Sequence, residues 1–369
     1  MNGISLWRSN GPRGNTPALT APAIEAEGWD GQMFMDSQSL NGDPYVLMGA
    51  WAMATQRLGL CTGVTNPLTR HPAVTASCIA TAQAISGGRA VLGIGRGDSA
   101  LAYLGHAPAS LARFERALGD IQALLRGEDV EFSASHFGDT VAALDTLSLG
   151  GRPQRSRLQW LPQDMPKVPV EVVASGPKVI DIAVRLADRI TFSVGAIPER
   201  LVWARDQAHG ARVRHGLSQD GVELGAQVIV VCHRNIDAVR AAATSIVAPL
   251  ARFQVMLADQ AAGPLSDLDR SNLAAIRQGY DMNKHSSADP HSKIIGAEID
   301  FDFVRRFAIV GPPEHCVERL LELAETGVRR FMIVGPGYHP EAEPDAPSLF
   351  SREVIPALRS TISHKGATE

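Results

Sequence analysis

Short apolar runs alternate with helix-period segments along most of this chain. Eight runs have the length and composition of buried strands, and they cover residues 4–7, 32–35, 60–64, 90–94, 170–173, 189–194, 222–232 and 330–334. Helical patterns lie between them, over 20–27, 73–85, 111–125, 177–186, 198–214, 237–280 and 314–325, and a further helix opens at Asp43 and Pro44, where an acidic cap precedes proline. Eight strands that alternate with helices predict an α/β fold, a (β/α)8 TIM barrel, rather than an open sheet.

The alternation breaks once, after the fourth helix. Residues 126–169 are polar, dotted with glycine and proline, and contain only short apolar runs. Long segments of this kind in a compact domain commonly form binding walls or lids. The sequence therefore predicts one barrel domain over residues 1–369, with an insertion at about 126–169 that forms a wall over the active site.

The composition narrows the possible partners. The chain has 369 residues, 45% of them hydrophobic and 20% charged, with a formal net charge of −4. This charge gives no general attraction to nucleic acid or to an anionic membrane. No run of about 18 apolar residues is present, and the first residues do not read as a signal peptide. We therefore expect a soluble cytoplasmic protein.

The four cysteines do not suggest a metal site. They stand at positions 61, 78, 232 and 316, too far apart along the chain for a zinc motif, and reduced buried thiols are expected. His285 and His291 flank a polar segment without helical spacing or a third ligand, so a zinc site is not expected.

The segment from Gly59 to Gly105 indicates where the active site lies. Two strands there end in loops, 65–72 and 95–99, and in parallel α/β folds the carboxyl ends of the strands carry ligands. The glycines from Gly93 to Gly97 follow G-x-G-x-G rather than the dinucleotide fingerprint G-x-G-x-x-G, and the acidic residue expected about 20 residues later is missing. These glycines are instead interpreted as allowing a tight turn.

Two further loops follow predicted strands. Ala174-Ser-Gly-Pro-Lys178 begins a helix, whose amides and dipole favour an anion, although an ordinary helix cap is the alternative. Residues 334–337 end the last strand, where barrel enzymes often bind phosphate, and glycines there also serve as turn residues.

Three side chains in these loops could transfer protons. Asp36 follows the second strand and Asp98 follows the fourth; the alternative roles are hydrogen bonding to loop amides for Asp36 and helix capping for Asp98. His71, before Pro72, could act as a general acid or could cap the next helix. No G-x-S-x-G, P-loop or H-E-x-x-H motif is present.

Taken together, these segments resemble one family. Gly63-Val-Thr-Asn-Pro67, Arg70 to Ser77, Ser86-Gly-Gly-Arg89 and Leu92 to Asp98 are similar to the luciferase-like flavin and deazaflavin oxidoreductases, above all to the coenzyme F420-dependent methylenetetrahydromethanopterin reductase branch. Residues 174–177 and 307–314 match further family segments in the expected order.

The resemblance implies roles for individual residues. The bond between Gly63 and Val64 corresponds to a non-prolyl cis peptide behind the deazaflavin ring. Asp36 corresponds to an aspartate near that ring, and Asp98 to a carboxylate that faces the reacting centre in some members. With Ser37, these two are the expected catalytic residues. The cofactor-binding residues implied are Asp36, Gly63, Val64, Thr65, Asn66, Gly97, Ala174, Ser175, Gly176, Pro177 and Lys178.

The sequence also departs from the family pattern. Ser37 stands where sugar-phosphate and alcohol dehydrogenases of this family carry histidine, which disfavours base-assisted alcohol oxidation and luciferase-type oxygen chemistry. The expected function is an F420-dependent oxidoreductase that transfers a hydride to or from a small organic substrate. An FMN-dependent monooxygenase is the alternative, a non-catalytic flavin-binding protein is a third possibility, and a homodimer is expected by the same resemblance.

Overall fold

Eight parallel strands close a barrel in the computed structural model, which describes residues 3–9, 20–132, 141–257, 261–287, 293–335 and 349–366. Each strand pairs with its neighbours in the order β1, β2, β3, β4, β7, β8, β9, β11, and β11 returns to β1. Their bounds are β1 Ser5–Arg8, β2 Gly31–Phe34, β3 Gly59–Thr62, β4 Ala90–Ile94, β7 Val170–Ala174, β8 Arg189–Phe192, β9 Glu223–Cys232 and β11 Arg330–Val334. The predicted TIM barrel is confirmed.

Helices cover the outside of the barrel, and three of them, α8 to α10, lie over its carboxyl-terminal end. They are α1 Ala21–Ala26, α2 Pro44–Ala54, α3 Pro72–Ser86, α4 Ser99–Ala102, α5 Leu111–Leu125, α6 Pro177–Leu186, α7 Pro198–Arg214, α8 Ile236–Arg252, α9 Asp267–Gly279, α10 Phe301–Phe307, α11 Pro313–Glu325 and α12 Ile355–Gly366. Proline at the first turn and a capping side chain, such as Asp43 for α2, start several of them as the sequence predicts.

Large and small side chains alternate inside the barrel. A Cβ atom at Gly31 or Gly59 would lie 2.3 or 2.4 Å from ring atoms of Trp7, so the indole fills the space that these glycines leave. Met33 and Met332 complete this interior cluster together with Cys61 and Val91. The barrel is a packed core rather than a channel, as is usual for this fold.

A buried ion pair lies in the same interior. Arg330 Nη2 is 2.7 Å from Glu171 Oε2, and the two side chains are 3% and 0% exposed. Thr191 donates its hydroxyl to the other oxygen of Glu171 at 2.5 Å, and the Arg330 guanidinium lies 3.5 Å from the ring centroid of Trp7. Charges this deeply buried persist only when they are paired.

Several elements were not predicted from the sequence. Ile309–Gly311 forms a strand, β10, which pairs with the upper half of β9, and a two-residue pair, β5 Val130–Glu131 with β6 Arg155–Ser156, lies in the insertion. The region 237–280 is two helices, α8 and α9, rather than one. The carboxyl-terminal tail contains α12, preceded by a π-helical turn at Phe350–Val354.

The insertion at 126–169 does not form the predicted wall over the active site in its described residues. It leaves the carboxyl end of α5 and enters the amino end of β7, and both lie at the amino-terminal end of the barrel. Its contacts are there: Gln83 near the end of α3 donates to the Pro166 carbonyl at 3.0 Å, and Lys167 pairs with Asp188 at 2.6 Å. The wall prediction is wrong because it considered polarity and not where the segment joins the barrel.

A different segment covers the carboxyl-terminal end. The cap, defined here as α8, α9 and α10 together with the described residues that connect them, follows β9 and shares a second apolar cluster with the upper parts of the strands, including Ile229, Val231 and Val334. At its far side Arg252 reaches Asp98, and the Tyr103 hydroxyl donates to the Met282 carbonyl at 3.2 Å. The cap therefore spans from the end of β9 to the loop after β4.

Candidate active site

The loop after β3 carries the predicted backbone feature. The peptide bond between Gly63 and Val64 is cis, as the sequence resemblance implied. The Gly63 amide donates to the Phe34 carbonyl at 2.6 Å, and a Cβ at Gly63 would lie 2.7 Å from the Cβ of Met33. The loop is therefore pressed against the end of β2, where only glycine fits.

Glycines in β4 and in the loop after it also allow close packing against β3 and the loop that follows β3. A Cβ at Gly93 would lie 2.1 Å from the Thr62 carbonyl oxygen, and one at Gly95 would lie 3.2 Å from the Val64 side chain. Gly97 has φ +92, and a Cβ there would meet Leu101 at 2.5 Å and the Cβ of Asn66 at 3.1 Å. These contacts agree with the turn interpretation and not with a dinucleotide fingerprint.

Asp36 lies at the centre of a polar network. Its Oδ2 accepts the Thr65 hydroxyl at 2.6 Å and pairs with Arg70 Nη1 at 2.5 Å, and its side chain is 3% exposed. Arg70 also contacts Asp43, which caps α2, at 2.6 Å. Asp36 therefore bonds to side chains rather than to loop amides, the alternative considered above.

Asn66 and His71 shape the same loop. The Asn66 side-chain oxygen accepts the amides of Leu68 and Thr69, both at 3.0 Å. His71 Nδ1 accepts the Ala73 amide at 3.1 Å and thus caps α3, and burial lowers its pKa below the ordinary value. Both side chains accept hydrogen bonds from backbone amides of this loop and of α3. For His71 this is the helix-capping alternative given with its sequence.

Asp98 makes an ion pair with the cap. Its Oδ1 accepts a short hydrogen bond from Arg252 Nη2, and its buried Oδ2 has no hydrogen-bond partner among the described residues. Although Asp98 stands at the start of α4, its side chain makes no capping hydrogen bond. Next to it, Ser99 donates its hydroxyl to that of Ser37 at 3.0 Å.

Cap residues around Asp98 form a cluster that was not predicted from the sequence. Arg252 lies 4.9 Å from the ring centroid of Tyr280, whose hydroxyl is 2.6 Å from His285 Nδ1. Burial lowers the pKa of His285 to about 4, the nearby Arg252 adding to this and Asp98 opposing it, so the imidazole is neutral near pH 7. Only the unusual run of polar residues near His285 hinted at this cluster.

A buried lysine joins the segment before α10 to α8. Lys293 is 1% exposed, and its ammonium donates to the carbonyl and hydroxyl oxygens of Ser245 at 3.0 and 2.9 Å. Burial lowers the pKa of this lysine from 10.5 to about 8.

The loop Ala174 to Lys178 starts α6 beside this network. Gly176 is the N-cap residue, and no side chain caps the helix. Ala174 is buried, Ser175 and Gly176 are half-buried, and Pro177 and Lys178 are exposed. The first amides of α6 thus face outward beside a lysine, an arrangement that favours a phosphate group.

The structure brings most of the predicted site residues together. Asp36 contacts Thr65 directly, Ser37 joins Ser99 beside Asp98, and Gly97 packs on Asn66. The α6 loop adjoins them because β3, β4 and β7 are neighbours in the sheet. At the last strand, Gly335 has φ +124 and packs on the backbone of Val230, whereas residues 336 and 337 lie outside the described part of the chain.

Two other kinds of site receive no support from the described residues. They contain no group of three or more His, Cys, Asp or Glu side chains that could hold a metal ion. Within the same residues no helix is long and apolar enough to cross a membrane.

Two known enzymes show how far the similarity of this chain to characterised proteins extends. The 5,10-methylenetetrahydromethanopterin reductase of Archaeoglobus fulgidus is 27% identical over 344 residues, which cover 91% of this chain and 93% of the reductase. The F420-dependent glucose-6-phosphate dehydrogenase of Beutenbergia cavernae is 35% identical over 158 residues, 40% of this chain and 41% of the dehydrogenase.

A solved structure has the same fold. The coenzyme F420-dependent tetrahydromethanopterin reductase from Methanopyrus kandleri superposes with a TM-score of 0.69 at 23% identity, covering 96% of this chain and 99% of the reductase. The model of the luciferase-like monooxygenase family matches residues 12–330. With the barrel and the glycine-lined loops at its mouth, this match places the chain in the luciferase-like monooxygenase family.

Proposed function

We propose that this protein is an F420-dependent oxidoreductase that transfers a hydride between the deazaflavin and a small organic substrate. The observation that carries the proposal is the similarity to F420-dependent enzymes: a reductase matches over almost the whole chain, and F420-dependent glucose-6-phosphate dehydrogenases match over 85%, 41% and 40% of it. Oxygen activation by FMN is the competing function, since the family model bears the name of monooxygenases.

The site residues fit such a cofactor. The uncapped amides at the start of α6, with Ser175, Gly176 and Lys178, would hold the phosphate of its chain. The loop from Gly63 to Asn66 would support the ring, and Gly97 would leave room beside it. When bound, F420 supplies or accepts the hydride; the protein supplies binding, orientation and the exclusion of water.

The polar side chains around the proposed cofactor site have two different roles: some hold the loops in place, and others are available to a substrate. Asp36 is held by Thr65 and Arg70 and serves as an anchor. Ser37 and Ser99 share a hydrogen bond and offer hydroxyl groups to a substrate. Asp98 has one oxygen paired with Arg252 and a second, Oδ2, without a described partner. We propose that Asp98 and Ser37 contact the substrate.

We do not extend the substrates of the relatives to this chain. Ser37 stands in place of the histidine that the resemblance implies for the sugar-phosphate enzymes, and the cap of this chain places Arg252 against Asp98. We propose a small polar substrate that donates a hydrogen bond to Asp98 Oδ2, because a buried acceptor without a donor is unfavourable.

We also propose that the protein is a homodimer. The neighbouring helices α2 and α3 contain no charged residue, yet Val46 and Met53 are 72% and 76% exposed, and Val74 and Ile85 are exposed as well. An uncharged apolar face of this kind is typical of an interface. A two-fold axis would bury it against its own copy.

Titration with F420 and with FMN tests the proposed function. We expect the fluorescence of F420 to change saturably on binding, with FMN competing weakly or not at all. Loaded with reduced F420 that carries deuterium at the hydride position, the enzyme should transfer the deuteride to an acceptor found by screening small organic compounds, leaving oxidised F420 and a deuterated product. Preferential binding of FMN, with oxygen consumption by the reduced complex, would support the monooxygenase instead.

A further inference from the structure

We infer that Arg70 is a positioning residue for the cofactor: it fastens the loop after β3 to the loop after β2 and so sets the affinity for F420. The inference rests on the proposed function and assigns a role to a residue for which the sequence analysis gave none.

The geometry is a clamp on one carboxylate oxygen. Asp36 Oδ2 bonds both Thr65 Oγ1 at 2.6 Å and Arg70 Nη1 at 2.5 Å. Thr65 and Arg70 are the two ends of one six-residue loop, and between them the side chain of Asn66 accepts two backbone amides. The loop beside Gly63 and Val64 is therefore fixed at both ends by one side chain from the loop after β2.

The guanidinium extends the clamp to a third element. Arg70 Nη2 pairs with Asp43 at the start of α2 at 2.6 Å, and the guanidinium carbon lies 5.0 Å from the ring centroid of Tyr45. Burial opposes the charge of Arg70, but the attraction of Asp36 and the hydrogen bonds to Asp36 and Asp43 outweigh it and raise the pKa of Arg70. Two carboxylates at different angles require the fork of an arginine, which a lysine does not reproduce.

These contacts should keep the loop from Thr65 to Arg70 ordered before F420 binds. Without Arg70, the loop from Thr65 to Arg70 would keep one of its two side-chain anchors, and binding F420 would have to order it. A cofactor that must order its own site binds more weakly, whereas a preorganised site does not pay that entropy. Arg70 thus acts on affinity without contacting the ligand.

The test compares F420 affinity with stability in matched variants. Arg70→Gln should raise the dissociation constant for F420 about tenfold or more, since charge-assisted hydrogen bonds contribute at this scale. Arg70→Lys should recover part of the loss. Thr65→Val, which removes the other bond to Asp36 Oδ2 with little change in shape, provides a second variant and should also weaken binding.

Arg89→Gln is the matched control. Arg89 is another half-buried arginine, but it bonds neutral groups at the amino-terminal end of the barrel, including the carbonyls of Ala52, Thr55 and Leu58. Its loss should lower the thermal midpoint and leave F420 affinity unchanged. This contrast separates positioning of the site from general stability.

The outcomes separate the two proposals. If wild-type protein binds F420 and both Arg70→Gln and Thr65→Val bind it with unchanged affinity well below their thermal midpoints, the role of Arg70 is overturned and the proposed function stands. If wild-type protein does not bind F420, the proposed function fails and the role of Arg70 fails with it. Weaker binding by Arg89→Gln to the same degree would also refute a specific role for Arg70.

Discussion

Replacing Arg330 by methionine should destabilise the barrel by about 3–5 kcal/mol, because it leaves a carboxylate buried without its counterion. Glu171 is fully buried, and after the substitution only the Thr191 hydroxyl among its described partners would remain, at 2.5 Å. Methionine fills much of the arginine volume beside Trp7, so the loss should come from the charge rather than from a cavity.

The pair itself should contribute much less than its disruption suggests. Glu171→Gln alone leaves Arg330 buried without its counterion, and it should lower the free energy of unfolding by several kcal/mol for the same reason. The double variant, Glu171→Gln with Arg330→Met, removes both charges, and we expect it to recover at least about 2 kcal/mol relative to the sum of the single losses.

Urea unfolding followed by tryptophan fluorescence and by circular dichroism measures these differences. Coincident transitions from the two probes would justify a single free energy of unfolding for each variant. A loss below about 1 kcal/mol for Arg330→Met, or a double variant as unstable as the two single losses added, would refute the reasoning.

Three further predictions follow from other parts of the molecule. Gly93→Ala should abolish F420 binding or prevent folding, because its Cβ would lie 2.1 Å from a backbone oxygen of β3, whereas Gly49→Ala, with nothing within 4 Å, should change neither. Lys293→Met should remove a rise in stability between pH 8 and pH 10.5, up to about 3 kcal/mol, since the unfolded lysine binds its proton more tightly than the folded one across that range. Val46→Asp combined with Met53→Asp should convert a dimer to a monomer in sedimentation experiments, because it places charges on the α2 and α3 face.

Each of these three predictions would be contradicted by a specific result. Equal F420 binding by the alanine variants at positions 93 and 49 would contradict the close packing of β3 and β4. Parallel stability–pH curves for wild type and the variant at position 293 would mean that the lysine is hydrated in solution. A dimer that survives both aspartates, or a wild-type monomer, would remove α2 and α3 as the interface.

The barrel could be predicted because its signals are local. Apolar runs end in glycine-rich turns, and helices begin with residues such as Asp43 and Pro44, so the order of most elements follows from short windows of sequence. The three-residue strand β10 has too few residues to give a pattern of its own. The position of the insertion was predictable from topology, because a segment between the end of a helix and the start of a strand emerges at the amino-terminal end of the barrel.

The site could be predicted only in part for a related reason. The loops after β2, β3 and β4 are close in sequence and carry a family motif, so Asp36, Thr65 and Asp98 could be assigned to one place. The ion pair between Asp98 and Arg252 joins residues 154 positions apart, and nothing near either residue indicates the other. Contacts of this kind depend on how α8 crosses the barrel mouth, which a single sequence does not reveal.

β9 is long enough to pair with different strands along its two halves. Its lower half closes the barrel against β8 and β11, while its upper half, Val230 to Cys232, continues beyond them and pairs with β10. Because β10 directly follows α10, the end of the cap is held to the barrel by this separate strand pairing, away from the strands β3, β4 and β7. Substitutions in the cap can therefore change the residues around Asp98 and Arg252 while β3, β4, β7 and the loops that follow them keep their shape.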